Sequence, residues 1–171
     1  MNILELDRRL IYASESKDPY AAVDVMCTVA SAEYLVWWGC LCSWSIWRPN
    51  PPRDEDGSLA IASQWVFSGD DSFRVEAAVR SEDECAGTCK WLLKAIAHSG
   101  GPIMINGHST SVVTSAATGR FILGFIHQLL AFQPIVSRAA VAQTFVQLAR
   151  QSITEPFPRS VTSTGSFAGH E

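Results

Sequence analysis

The stretch that decides the predicted fold is Tyr34-Leu-Val-Trp-Trp-Gly-Cys-Leu-Cys-Ser-Trp-Ser-Ile-Trp47, the most apolar run of the chain. It is rich in aromatic and β-branched residues and has no helical stripe. One parity is occupied by Trp38, Cys40, Cys42, Trp44 and Ile46, with small residues opposite. Such alternation is typical of a strand with one packed face. We therefore predict a β-strand over residues 34–48.

Two more strands are predicted downstream of this run. Pro49-Asn-Pro-Pro52 and the acidic residues up to Gly57 indicate a surface loop. Residues 58–67 and 72–80 are interpreted as strands joined by Ser68-Gly-Asp-Asp71, and Ile103–Ile105 as a short fourth strand before the turn Asn106-Gly107. The three longer segments together indicate an antiparallel meander.

Helices are predicted on both sides of the strands. Residues 2–13 form an amphipathic pattern, and Asp18-Pro19 is typical of a helix start that would run to about residue 32. Ser81-Glu-Asp-Glu84 matches a capping box, and two further helices are predicted over about 115–132 and 137–152. The predicted fold is α+β: a small, mainly antiparallel sheet of three to four strands, flanked by N-terminal helices and a C-terminal helical hairpin.

Length and composition favour one globular domain over residues 1–153, followed by a linker-like tail over 154–171. A hydrophobic fraction of 47% and a charged fraction of 18% exclude wholesale disorder. The five cysteines are an odd count and do not suggest a disulfide framework, and the N-terminus lacks the pattern of a signal peptide. These features predict a soluble cytoplasmic protein. No membrane span is predicted, because the longest apolar run is too short.

The charge is divided unevenly along the chain. Residues 1–85 contain 15 acidic and 7 basic residues, whereas residues 86–171 contain 2 acidic and 6 basic residues. A polarised surface of this kind can steer a charged partner. There is no dense basic stripe, so direct nucleic-acid binding is not expected.

The weak catalytic candidates are Ser109, with His108 or His127 as a base. Gly107-His-Ser-Thr-Ser111 is similar to the Gly-x-Ser-x-Gly nucleophile elbow, but its fifth position is Ser111 rather than Gly. Cys85 and Cys89 are spaced to share a helix face, but the Cys-x₂-Cys spacing of zinc knuckles is absent. Phosphate-binding glycine motifs are absent too. We expect no metal and no cofactor.

The candidate binding residues are carboxylates and tryptophans. Asp54, Glu55, Asp56, Asp70 and Asp71 fall in predicted loops, where they are either solvated charge or a docking surface for a basic partner. In the predicted strand, Trp37 and Trp47 lie on the face opposite Trp38 and Trp44. Either helices cover both faces of the sheet, or one face carries an apolar patch for a partner.

The leading hypothesis is a non-enzymatic protein-binding module, such as a cytoplasmic inhibitor, immunity or anti-defence protein, with an acidic and aromatic surface. Two alternatives stay open. One is a small hydrolase or transferase with Ser109 or a cysteine as its nucleophile. The other is a structural homo-oligomer whose tail exchanges between copies.

Overall fold

The computed structural model describes residues 3–15, 18–83, 87–105, 107–109 and 115–155, and within them the chain is almost entirely helical. The helices are α1 (Ile3–Glu15), α2 (Pro19–Val29), α3 (Ala32–Trp47), α4 (Arg53–Ser68), α5 (Asp71–Ser81), α6 (Lys90–Ala97), α7 (Ser115–Ala131) and α8 (Arg138–Thr154). A 3₁₀ turn over Ile135–Ser137 precedes α8. Two-residue strands, β1 (Met104–Ile105) and β2 (His108–Ser109), pair in antiparallel fashion.

The predicted α+β fold is therefore wrong. The segments interpreted as strands over 34–48, 58–67 and 72–80 are helices α3, α4 and α5, and the described residues contain no sheet beyond the two-residue ladder. The predicted loop is confirmed over residues 49–52 but wrong over residues 53–57, because α4 begins at Arg53. Acidic residues in the first turn of a helix interact favourably with its dipole, which explains why the acidic stretch begins a helix.

Helix α3 looked like a strand because it is the centre of the fold. It packs against α4, α6, α7 and α8, so apolar residues are needed around most of its circumference and no single stripe appears. The buried indole of Trp38 donates a hydrogen bond of 2.8 Å from Nε1 to the carbonyl oxygen of Phe145 on α8. A Cβ at Gly39 would lie 2.9 Å from the side chain of Leu92, so α6 approaches α3 closely at this glycine.

The helices predicted at the two ends of the chain are confirmed. Asp18 caps α2, because its Oδ1 accepts hydrogen bonds from the backbone N–H groups of Tyr20 and Ala21, and Pro19 is the first helical residue. Helices α1, α7 and α8 lie where the apolar periodicity placed them. The capping box at Ser81 is wrong, because Ser81 is the last residue of α5 and α6 begins only at Lys90.

Helices α2 and α7 run antiparallel and touch at a glycine. Tyr20 packs against His127, whereas Cys27 lies against Gly119. A Cβ at Gly119 would overlap the carbonyl oxygen of Cys27, so the position leaves room for hydrogen only.

The buried core includes side chains from every helix, from Leu6 on α1 to Ile153 on α8. Among the described helices, none combines the length and apolar character needed to cross a membrane. The predicted tail begins at the last residue of α8, Thr154, and residues 156–171 lie outside the described residues.

Candidate interaction surface

Helices α4 and α5 form an antiparallel pair with an acidic exposed surface. The guanidinium of Arg80 lies 2.8 Å from the position that a Cβ at Gly57 would take, so the end of α5 meets the start of α4. Between residues 53 and 83, the exposed carboxylates are Asp54, Asp56, Asp70, Asp71, Glu76, Glu82 and Asp83. Only two guanidiniums, those of Arg53 and Arg80, are exposed over the same range.

The sequence-predicted carboxylates form two groups rather than one site. Asp54 and Asp56 lie in the first turn of α4, whereas Asp70 and Asp71 lie at the turn between α4 and α5. The 16 residues of α4 separate the two groups by about 20 Å, at 1.5 Å per residue.

Asp70 and Asp71 begin α5 and remain exposed. The Oδ1 of Asp70 accepts a hydrogen bond of 2.8 Å from the backbone N–H of Ser72, and this bond lowers the pKa of the Asp70 carboxyl. Asp71 forms an ion pair with Arg74 at 3.1 Å. The Arg74 side chain is buried, whereas the Asp71 side chain is 75% exposed. Two negative charges are therefore fixed at the α4–α5 turn and face solvent.

Glu55 does not belong to this surface. Its side chain is buried, with 5% of the residue exposed, and points from α4 towards the start of α6. Its Oε1 and Oε2 accept hydrogen bonds from the backbone N–H groups of Thr88 at 2.6 Å and Cys89 at 2.8 Å. Glu55 therefore supplies an N-terminal cap to another helix and is not available to a partner.

Two tryptophans of α3 and one phenylalanine of α4 pack together as a row of aromatic side chains. Trp37 packs edge-on against Trp44, two turns further along α3, with ring centroids 5.6 Å apart. On its other side, Trp37 packs against Phe67 at the end of α4, with ring centroids 5.8 Å apart. The guanidinium of Arg48 lies 5.2 Å from the centroid of the Trp44 ring. We call Trp37, Trp44 and Phe67 the aromatic row.

The sequence left open whether the face that carries Trp37 and Trp47 is covered or exposed, and it did not identify the neighbours of Trp37. Trp37 and Trp47 are both half-buried and pack partly against the core, and Phe67 is 50% exposed. The seven-residue spacing of Trp37 and Trp44, which puts two residues on one helix face, was the signal that could have identified the row. Phe67 and Arg48 carried no comparable signal.

Among the described elements, the candidate catalytic residues are divided between β2, which carries His108 and Ser109, and α7, which carries His127. His108 and Ser109 are exposed neighbours on β2, and successive residues of a strand point to opposite faces. His127 is exposed on α7, where its ring contacts Tyr20 at a centroid distance of 6.4 Å. Within the part of the chain that the structure describes, no three His, Cys, Asp or Glu residues are grouped to hold a metal ion.

The described cysteines are poor nucleophiles. Cys27, Cys40, Cys42 and Cys89 are buried free thiols. Burial raises the pKa of Cys27 and of Cys40 to about 12, and it raises the pKa of Cys42 and Cys89 well above the ordinary value. Because the thiolate is the reactive form, these residues are inert near neutral pH. Cys85, which was expected to share a helix face with Cys89, lies outside the described residues, and Cys89 itself precedes α6.

One cleft of about 740 Å³ opens where the α2–α3 junction meets α7. Its charged wall residues are Glu33 and Arg120, of opposite sign, and Cys27 is the one thiol in its described wall. The hydroxyl of Ser99, also in the wall, donates to the carbonyl oxygen of Ile96. This lining provides polar contacts but no activated nucleophile.

Comparison with known proteins gives a family but no function. Neither the curated proteins nor the solved structures contain a significant match to the chain. A family model does match, over residues 12–153, and it is described as a family of unknown function, DUF6931. The match spans the helical fold from the end of α1 to Ile153 on α8. The chain therefore belongs to the DUF6931 family.

Proposed function

We propose that the protein is a non-enzymatic protein-binding module, of the kind found in cytoplasmic inhibitors, immunity proteins and anti-defence proteins, and that its partner is a basic protein. The observation that carries the proposal is the exposed surface of α4, α5 and the residues that flank them. Between residues 53 and 83 it exposes seven carboxylates and two guanidiniums, and one of the carboxylates, Glu82, pairs with Lys94 at 3.4 Å. The aromatic row lies beside this surface and supplies apolar contact area.

Charge complementarity determines the class of partner. An exposed acidic surface repels acidic proteins and accelerates the encounter with basic ones. The two carboxylate groups lie about 20 Å apart, a span that fits a protein interface of ordinary size better than a small ligand.

The aromatic row strengthens the same preference. Tryptophan faces attract cations, and Arg48 already occupies this position over Trp44. Phe67, half exposed beside Asp70 and Asp71, combines an aromatic ring with nearby negative charge. A lysine or arginine of the partner can contact both, which is the arrangement favoured at interface hot spots.

The proposed location is the cytoplasm. It is supported by the four described cysteines, which are unpaired thiols as reducing compartments favour.

The test is capture of partners from native lysate with the tagged chain, followed by binding measurements with the purified captured protein. We expect one stoichiometric basic partner whose affinity falls steeply with ionic strength. A triple variant carrying Asp54→Asn, Asp56→Asn and Asp70→Asn removes three charges, and we expect it to weaken binding at least about tenfold. Asn at position 70 preserves the helix cap, so folding is maintained.

The matched control is Asp24→Asn, which removes an exposed carboxylate from α2, a helix that does not pack on α4 or α5. It should leave the affinity unchanged. A captured protein that binds the triple variant as well as the unmodified chain contradicts the proposal. A chain that captures only further copies of itself supports the homo-oligomer alternative instead.

A further inference from the structure

The cleft between the α2–α3 junction and α7 has the size of a small-molecule site. Its volume of about 740 Å³ lies within the range of about 300–1,000 Å³ that is typical of ligand-binding pockets. In its described wall, residues 27–33 come from the junction, whereas Gly119, Arg120 and Leu123 come from α7. No described wall residue belongs to α4 or α5, so the cleft is separate from the proposed protein-binding surface.

The junction side of the cleft has a negative electrostatic character. Helix α2 ends there at Val29, and the last carbonyl groups of a helix carry the negative end of its dipole and lack intrahelical donors. The last turn of α2 has no basic residue to offset this charge. Glu33, in the first turn of α3, adds a carboxylate to the same side. The junction side therefore favours a positively charged group of a ligand.

The α7 side of the cleft has the opposite character. Arg120 lies in this wall and is exposed. Within the part of the chain that the structure describes, its guanidinium has no ion-pair partner, whereas Arg74 and Arg150 are each paired with a carboxylate. The planar guanidinium matches the geometry of a carboxylate, to which it can donate two parallel hydrogen bonds. The α7 side therefore favours a carboxylate of a ligand.

The residues between the two charges leave space and add a polar contact. Ala30, Ala32 and Gly119 have small side chains or none, so the uncharged part of a ligand can lie against them. Ser31, the N-cap residue of α3, makes no capping hydrogen bond with its side chain. Its hydroxyl can therefore bind a polar atom of the ligand instead.

We propose that the cleft binds a small zwitterion, whose ammonium group lies against Glu33 and the end of α2 and whose carboxylate binds Arg120. A short peptide with free termini has this chemistry, and two extended residues span about 7 Å. A ligand with a single charge would match only one side of the cleft and leave the charge on the other side in water. The recognition of both termini distinguishes this proposal from non-specific binding of small solutes.

The test is a titration of the purified chain, followed by two-dimensional amide NMR, with three probes that differ only in charge. Alanylalanine carries both charges, N-acetyl-alanylalanine carries only the carboxylate, and alanylalanine amide carries only the ammonium group. We expect alanylalanine to bind at least about tenfold more tightly than either blocked form, because each blocked form loses one charged hydrogen-bonding partner. The shifted signals should belong to the residues of the described wall.

Two substitutions determine which end of the ligand lies on which side. Arg120→Gln changes an exposed residue, so folding should be maintained, and it should weaken alanylalanine about tenfold while leaving the amide unchanged. Glu33→Gln keeps the size of the side chain and should weaken the amide while leaving the acetylated form unchanged. Arg8→Gln, at an exposed position of α1 outside the described wall, is the control and should leave all three affinities unchanged.

Three results would overturn the proposal. The first is equal affinity of the three probes, which would show that the charges are not recognised. The second is a set of shifted signals that lies outside the described wall. The third is the absence of any shift with alanylalanine up to its solubility. None of them bears on the binding of a basic protein to α4 and α5, because the cleft shares no described residue with that surface.

Discussion

Glu55 and Arg74 bind opposite ends of the same helix. The Glu55 carboxylate accepts hydrogen bonds from two backbone N–H groups where α6 begins. The Arg74 guanidinium donates hydrogen bonds to the carbonyl oxygens of Ala97, at 3.2 Å, and of Gly101, where α6 ends. Each charge has the sign that complements the helix dipole at its end. With eight residues, α6 is too short to be stable alone, so these two side chains fix its position in the core.

Replacing Glu55 should destabilise the protein strongly. Glu55→Ala leaves two buried N–H groups without an acceptor, and we expect a loss of about 2–4 kcal/mol in the free energy of unfolding, measured by urea denaturation. Asp56→Asn, one residue further and exposed, should change it by less than about 0.5 kcal/mol. Equal losses for the two variants would show that the buried cap is not important.

Replacing Arg74 should have a comparable effect. Arg74→Met keeps much of the volume but removes three hydrogen bonds, two of them to backbone carbonyls at the end of α6. We expect a loss of about 2–3 kcal/mol in urea denaturation. The free energy of unfolding of Arg74→Lys should lie between those of the unmodified chain and Arg74→Met, because one ammonium cannot reproduce the planar guanidinium. A lysine variant no more stable than the methionine variant would contradict this role of the charge.

Alanine substitutions at two glycines of α7 should change the free energy of unfolding in opposite directions. Gly119→Ala forces a methyl group onto the carbonyl oxygen of Cys27 and should lower the free energy of unfolding by about 2–3 kcal/mol. At Gly124 the nearest atom, on Trp91, lies 4.0 Å from the added Cβ. Gly124→Ala should therefore raise stability by roughly 0.5–1 kcal/mol, through helix propensity. Thermal unfolding followed by circular dichroism measures both variants. A Gly119→Ala variant as stable as the unmodified chain would contradict the close approach of α2 and α7.

Because the four thiols are buried, we expect them to react slowly with labelling reagents and to make the stability of the protein depend on pH. In a Cys85→Ser chain, Cys27, Cys40, Cys42 and Cys89 should react with a disulfide reagent at pH 8 only as fast as the protein unfolds. With a pKa of about 12, the thiolate fraction of Cys27 or Cys40 is only about 10⁻⁴ at that pH. Fast labelling of any of the four in the folded chain would contradict their burial.

The same thiols should lower stability in alkali. Their pKa is higher in the folded chain than the ordinary 9.0, so above pH 9 the unfolded chain loses protons that the folded chain retains. The free energy of unfolding should therefore fall as pH rises from about 9 towards 12. Replacing Cys40 with Ala should make this fall less steep, as measured by denaturation at a series of pH values.

The sequence predicted the terminal helices well because their signals are local. Asp18-Pro19 starts α2 by direct contact with its first turn, and α7 and α8 each have one apolar face. Helix α3 was misread because helices from both halves of the chain cover it, so its pattern lacks a 3.6-residue period. The length of this segment was a better indication of a helix than its pattern of apolar residues, since α3 has 16 residues and a strand of that length is unusual.

The candidate surface was predicted only in part. Asp54, Asp56, Asp70 and Asp71 are exposed as expected, since isolated carboxylates seldom bury. Glu55 could not be separated from its neighbours, because the N–H groups that bury it belong to Thr88 and Cys89, more than 30 residues away. Phe67 joins Trp37 only after α3 and α4 pair, which no local pattern shows.

The position of α3 also has a consequence for synthesis on the ribosome. Trp38 leaves the exit tunnel long before Phe145, its hydrogen-bond partner 107 residues later, has been translated. The most apolar helix of the chain is thus made early and covered late, at a translation rate of about 5–20 residues per second. During that interval of several seconds the nascent chain exposes the four tryptophans of α3, and we expect chaperones that bind apolar segments to recognise it at this stage.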